Sequence, residues 1–212
     1  MSLYTNYKLM KKTRLLIIFA KNPEKGRVKT RLAQTVGDEK ALRVYRKLLD
    51  YTLLVADSVN AEKQVWYSRF IPKDIEIEDD TDGYGFTKKL QHGNDLGERM
   101  HNAFKDAFSA GYREVAIIGS DCAELSAGLI SESYEKLKKN DLVIGPSEDG
   151  GYYLLGMKKC YGQLFEGIQW STPQVLPQTL EIAKKLDLAI HQLPELNDVD
   201  NEEDWQAAKE KL

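Results

Sequence analysis

Short apolar runs alternate along most of the chain with longer amphipathic stretches. This pattern predicts strands buried on both faces, separated by helices. The first run is Leu15-Leu-Ile-Ile-Phe-Ala20. Gly37-Asp38 then signals a helix start, and Ala41, Leu42, Tyr45, Leu48, Leu49, Thr52, Leu53 and Ala56 recur at helical spacing on one face. Val65-Trp-Tyr67 reads as a short strand, and the acidic stretch from Pro72 to Gly85 as a solvated excursion or weak edge strand. Residues 95–110 form a second helix with Leu96, Met100, Ala103, Phe104 and Ala107 on one face, leading into the strand Val115-Ala-Ile-Ile118. Further along, 126–139 reads as a helix, 142–145 and 152–155 as strands, 172–185 as a helix opened by Thr172-Pro173, 188–193 as the closing strand and 201–212 as a terminal helix. The alternation predicts an α/β fold, a three-layer α/β/α sandwich around a mostly parallel sheet.

The 212 residues show no internal repeat, low-complexity tract or linker, so a single domain over 13–212 is expected. Residues 1–12 are polar, basic and aromatic without the apolar core of a signal peptide, and read as a tail or expression leader. A net charge of −3 lacks the basic excess that phosphate neutralisation on DNA or RNA requires, which argues against a nucleic-acid partner. No apolar run approaches the roughly 18 residues of a membrane span. Cys122 and Cys160 have neither metal-ligand nor disulfide-framework spacing, so a cytoplasmic location is expected.

The chemistry is concentrated where apolar runs end. The 115–118 run stops at Gly119 and presents Asp121; the 142–145 run leads through Pro146 to Asp149, followed by Gly150 and Gly151. In open α/β sheets ligands sit beyond the carboxyl ends of the strands. Two carboxylates there suit Mg²⁺ or Mn²⁺ carrying phosphates, since a hard cation of this kind takes one or two protein carboxylates and fills its other positions with water and phosphate. Each aspartate alone also fits a turn or helix cap. The loop after the first run, Lys21-Asn-Pro-Glu-Lys-Gly-Arg-Val-Lys-Thr-Arg31, holds Gly26 among cations at the expected phosphate position. A P-loop fails on spacing, because Val28 stands where a glycine must precede Lys29-Thr30. The other reading of this loop is a solvated basic surface.

Taken together, these motifs resemble a bacterial family of glycosyltransferase-A-like enzymes in the nucleotide-diphospho-sugar transferase superfamily, often described as glycosyltransferases associated with radical-SAM proteins. The resemblance rests on Phe19-Ala-Lys-Asn-Pro23, Gly26-Arg-Val-Lys-Thr-Arg-Leu32, Gln91 with Asp95-Leu-Gly-Glu-Arg-Met100, Gly119-Ser-Asp-Cys122, Gly145-Pro-Ser-Glu-Asp-Gly-Gly-Tyr-Tyr153, Trp170-Ser-Thr172 and Asp198-Val-Asp200. The first loop is also similar to that of phospholactate guanylyltransferases, and molybdenum-cofactor nucleotidyltransferases are wider relatives. Ala123 departs from the family, which usually has proline there.

The resemblance implies that Asp121 is the metal aspartate, joined by Asp149 and by Asp200, although Asp200 equally suits a cap for the last helix. Ala20, Lys21, Gly26, Lys29, Arg31 and Ser120 would bind nucleotide, with Lys29 among the catalytic groups. Gln91, Asp95 and Arg99 would recognise the base; Asp95 is also a natural N-cap and Arg99 a surface ion-pair partner. Gly150, Gly151, Tyr152 and Trp170 would face the acceptor, with a buried aromatic as the other reading of Trp170. The expected activity is glycosyl transfer from a nucleotide-sugar to a small acceptor, with Asp149 as base. The alternatives are nucleotidyl transfer from a nucleoside triphosphate and a non-catalytic nucleotide-binding protein. The sequence leaves the oligomeric state open.

Overall fold

In the computed structural model, residues 13–72 and 84–212 are described. They form a seven-stranded sheet from β1 (Arg14–Ala20), β2 (Glu62–Tyr67), β3 (Thr87–Leu90), β4 (Glu114–Ile118), β5 (Leu142–Pro146), β6 (Tyr152–Met157) and β7 (Ile190–Gln192), in the order β3-β2-β1-β4-β6-β5-β7. Only β6 runs against its neighbours; the pairs β1–β2, β1–β4, β2–β3 and β5–β7 are parallel. The chain leaves β1 for β2 on one side and returns to place β4 on the other. This is the topological switch at which open α/β sheets receive ligands.

Helices cover both faces. On one, α2 (Asp38–Asp57) and α4 (Ala127–Leu137) bury Tyr45, Leu49, Leu53, Ile130, Tyr134 and Leu137 against alternate side chains of the sheet. On the other, α3 (Leu96–Ser109) and α5 (Val175–Lys185) bury Met100, Phe104 and Ala183, with a 3₁₀ turn at Gly162–Phe165 between them. A third apolar cluster joins α1 (Thr30–Val36), α2 and α6 (Glu202–Ala208) through Leu32, Leu48, Val199 and Trp205, and contains Ala123. Buried on both faces, β1 and β4 carry the uninterrupted apolar runs that this environment requires.

The structure departs from the sequence expectation at several elements, among them the terminal helix, which ends at Ala208 rather than 212. Residues 30–36 form α1 rather than the end of a loop, β3 adds an edge strand, and the fourth helix begins at Val175, three residues after Thr172. Residues 73–83, most of the expected acidic excursion, lie outside the described residues, as do 1–12. Among the described residues no helix is long and apolar enough to cross a membrane.

Candidate active site

The carboxyl ends of β1, β4, β5 and β7 lie along one edge of the sheet, because these strands share a direction. Backbone bonds draw the following segments together. Val199 N donates to Asp121 O at 3.0 Å, and Glu148 N donates to Leu196 O at 3.1 Å. The segment after β7 is thus stitched to the turns after β4 and β5, which brings sequence positions 121, 147–149 and 198–200 to one place.

Lys29 lies at the centre of this arrangement. Its backbone has φ 47° and ψ 47°, the left-handed region that costs a residue with a Cβ about 1–2 kcal/mol. The side chain turns inward and is only 4% exposed, with Nζ 2.9 Å from Asp121 Oδ1 and 3.6 Å from Asp200 Oδ1. Arg31 Nη1 reaches the other oxygen of Asp200 at 3.0 Å. Two other loop cations point elsewhere: Lys25 pairs with Glu39 of α2, and Arg27 lies 3.9 Å from Glu24. The loop therefore delivers Lys29 and Arg31 to the acidic cluster and leaves Lys25 and Arg27 to outer partners.

The structure also brings in Asp198, whose position in Asp198-Val-Asp200 points to no role by spacing alone. Burial pushes its carboxyl up to about 7, with Asp121 adding, Lys29 opposing, and Asp149 and Asp200 contributing further. Asp149 is exposed and fixed through one oxygen: Oδ1 accepts from Ser147 Oγ at 2.7 Å and from Gly151 N at 2.8 Å. Asp200 is no helix cap. Asn201 caps α6 by accepting from Asp204 N, and Asp204 returns a bond to the Asn201 backbone.

The other expected site residues are placed as follows. Ser120 is buried beside the Tyr45 hydroxyl, at 3.3 Å. The Lys21 backbone is held by the same hydroxyl, and Gly26 turns with a left-handed φ of 73°. Gln91 donates to the carbonyls of Trp66 at 2.7 Å and Ala20 at 3.4 Å, binding the ends of β1, β2 and β3 together. Asp95 caps α3 by accepting from Glu98 N, and Arg99 Nε donates to Gly93 O. Gly150 packs on the backbone of Pro173, and its carbonyl accepts from Leu176 N. Tyr152 packs against the α3–α5 cluster with its hydroxyl buried. Trp170 joins the same cluster, its ring lying where a Cβ on Gly97 would be, 2.2 Å from Cε2. Gly97 is thus the residue that admits the indole. Cys122 is buried and its thiol is pushed up to about 12, chiefly by burial, which suits packing rather than nucleophilic chemistry.

Among the described residues no group of three or more His, Cys, Asp or Glu side chains is placed to hold a metal ion by itself. A cation that completes its shell with water and phosphate needs only one or two carboxylates. Asp121 and Asp200 fit that demand: both reach the same buried cationic position, and the buried Asp121 Oδ1, though paired in charge with Lys29, makes no aligned hydrogen bond.

The sheet order, the switch point and the acidic cluster beyond it define the nucleotide-diphospho-sugar transferase fold. The chain belongs to the family of uncharacterized proteins conserved in bacteria (DUF2064), whose model matches residues 52–172. It is similar to a "putative nucleotide-diphospho-sugar transferase" from Desulfovibrio desulfuricans G20, with 34% identity over 89% of this chain and 82% of that one and a TM-score of 0.80. Two further likenesses are of fold alone. The inositol-1-phosphate CTP transferase from T. maritima shares 14% identity over 94% of this chain and 95% of its own, with a TM-score of 0.58. The CMP:2-keto-3-deoxy-manno-octonic acid synthetase complexed with CTP shares 12% identity over 93% and 99%, with a TM-score of 0.56. No curated protein matches the chain by sequence.

Proposed function

We propose that this chain is a divalent-metal-dependent transferase acting on a nucleotide substrate, and that its reaction is glycosyl transfer from a nucleotide-sugar to a small acceptor. The observation that carries this reading is Lys29, buried between Asp121 and Asp200 at the carboxyl edge of the parallel strands. Lys29 and Arg31 pair with the carboxylates of Asp121 and Asp200, and Asp149 and Asp198 lie near enough to act on the same charges. Such a site repels a free polyphosphate and accepts one that arrives with a divalent cation. When bound by Asp121 and Asp200, Mg²⁺ or Mn²⁺ supplies electrostatic stabilisation of a departing diphosphate. Lys29 and Arg31 add charge on the same leaving group. Asp149, oriented by Ser147 and Gly151, takes the proton of the acceptor hydroxyl as that oxygen bonds to the anomeric carbon. The sugar–phosphate bond breaks and the nucleoside diphosphate leaves with the electron pair. The 34%-identical relative, by its name, supports this class of donor.

The second reading, nucleotidyl transfer with release of pyrophosphate, is supported by the likeness to the CTP transferase and the CTP-bound synthetase, and by the pairing of Lys29 and Arg31 at one edge of the site. The free thiols of Cys122 and Cys160 suit a reducing cytoplasm, and we read 13–212 as one transferase domain built on the single sheet. A screen of nucleotide-sugars and nucleoside triphosphates with Mn²⁺ or Mg²⁺, read by mass spectrometry, tests the proposal. Release of a nucleoside diphosphate from a nucleotide-sugar, lost in Asp121→Ala, is the expected result. Pyrophosphate release from a triphosphate with every nucleotide-sugar intact overturns glycosyl transfer in favour of the second reading.

A further inference from the structure

An ammonium group removed from water needs aligned acceptors for its three protons, and Lys29 has only two carboxylate oxygens within 4 Å, neither of them in an aligned hydrogen bond. Its side chain is 4% exposed and its Nζ stands 2.9 Å from Asp121 Oδ1, yet neither atom has an aligned hydrogen-bond partner. The second carboxylate oxygen within reach, Asp200 Oδ1, lies at 3.6 Å. Lys29 is therefore held by charge rather than by bonding geometry, at a position approached by the same two carboxylates that suit a divalent cation. Its left-handed backbone aims the side chain there at a conformational cost. Arg31, by contrast, is three-quarters exposed and makes an ordinary hydrogen bond to the far oxygen of Asp200.

We propose that Lys29 is the resident counter-ion of Asp121 and Asp200, and that it makes metal binding conditional on the nucleotide. In the free protein the ammonium fills the electrostatic place of the divalent cation, and like charge keeps the metal out. Phosphate oxygens offer Lys29 the acceptors it lacks, draw it off the carboxylates and leave these to the cation. Metal and nucleotide then bind as a coupled pair, each raising the affinity for the other by the same factor. The inference rests on the metal–nucleotide reading above and adds to it a coupling carried by Lys29.

The test titrates Mn²⁺ alone into the full chain, with free Mn²⁺ followed by electron paramagnetic resonance, for wild type, Lys29→Met and Lys29→Gln, each shown by circular dichroism to be folded. Wild type should bind Mn²⁺ weakly, and the variants at least about ten-fold more tightly (1.4 kcal/mol per factor of ten). Adding Asp121→Asn to either variant should abolish the gain. Unchanged or weaker Mn²⁺ binding in the folded variants overturns the inference. A measurement on wild type does not depend on the variants folding: the ammonium resonance of Lys29 in ¹⁵N-lysine-labelled protein should stay in place with Mg²⁺ alone and move with Mg²⁺ plus ADP, CDP, GDP or UDP. Movement with Mg²⁺ alone overturns the counter-ion role. If none of these nucleotides binds more tightly with Mn²⁺ than with EDTA in wild type, the metal–nucleotide reading itself fails, an outcome separable from the first.

Discussion

The hydroxyl of Tyr45 accepts a 2.7 Å hydrogen bond from Lys21 N and donates one of 2.9 Å to Lys21 O. A single buried side chain of α2 thus clamps the first residue after β1. The same oxygen lies 3.3 Å from Ser120 Oγ, one residue before Asp121, so the clamp spans both strand ends that form the switch point. Burial raises the Tyr45 phenol, with the Asp121 charge adding, which keeps it a neutral donor. Tyr45→Phe leaves the Lys21 N–H and carbonyl without this partner and should cost about 1–3 kcal/mol. Urea unfolding measures the loss. A Tyr45→Phe/Ser120→Ala double variant should lose less than the sum of the single variants, because the two hydroxyls share one network.

Gly97 and Trp170 are a matched pair, since a Cβ at 97 would lie 2.2 Å from the indole. Gly97→Ala must expel the ring or bend α3, and overpacking of this kind costs about 1–3 kcal/mol. Tryptophan fluorescence should shift to the red as Trp170 gains water. A variant with unchanged emission and stability would remove the packing role assigned to Trp170.

The main strands and helices could be read from the sequence because their burial is periodic or continuous. The apolar run of β1 and the stripes of α2 and α3 appear in the structure as the two faces of the core. The elements that escaped lack such a signal. β3 is Thr87-Lys-Lys-Leu90 and holds its place by pairing with β2 rather than by burying a face. α1 buries only Leu32 and sits inside a charged stretch. Thr172-Pro173 has the composition of a helix start, but Gly150 packs on the Pro173 backbone and the helix begins at Val175. At the candidate site, the places of Asp121, Asp149 and the basic loop beyond the strand ends were legible. The division of the loop cations was not, because it depends on Glu24 and Glu39 as outer partners. The raised carboxyl of Asp198 depends on burial, which sequence spacing does not report.

Asp200 and Asn201 are adjacent and separable. Asn201 forms the capping box with Asp204, whereas Asp200 turns its carboxylate to Lys29 and Arg31. Asn201→Ala should cost about 1 kcal/mol of stability and leave nucleotide binding intact. Asp200→Ala should do the reverse, with metal-dependent nucleotide affinity falling while the denaturation midpoint holds. Equal loss of stability in both variants would return Asp200 to a capping role.

The two groups of loop cations give a second contrast. Lys29→Ala and Arg31→Ala should each weaken metal-supported nucleotide binding by about 1.5–3 kcal/mol, the range for hydrogen bonds to charged groups. The loss should grow with the number of phosphates. Lys25→Ala and Arg27→Ala, whose partners are Glu39 and Glu24 on the surface, should leave that affinity unchanged. Calorimetric titration with mono-, di- and triphosphates separates the pairs, and an equal effect of all four substitutions would make the loop a general basic surface.

Asp149 distinguishes a base from a metal ligand. Its Oδ1 is held by Ser147 Oγ and Gly151 N, which orients the carboxylate without neutralising it. If it takes the acceptor proton, Asp149→Asn keeps a similar shape and an acceptor oxygen, so donor binding should survive while turnover falls by a factor of about 10²–10⁴, the usual contribution of a positioned general base. Hydrolysis or transfer from an activated donor should fall together with the natural reaction, since both need an oxygen nucleophile to lose a proton. If Asp149 instead helps to hold the cation, the same substitution weakens Mn²⁺-dependent nucleotide affinity before it touches turnover, and raising the Mn²⁺ concentration restores the rate. Turnover measured at saturating donor across a Mn²⁺ series decides between them: a deficit that added metal cannot repair supports the base, and full rescue by metal excludes it.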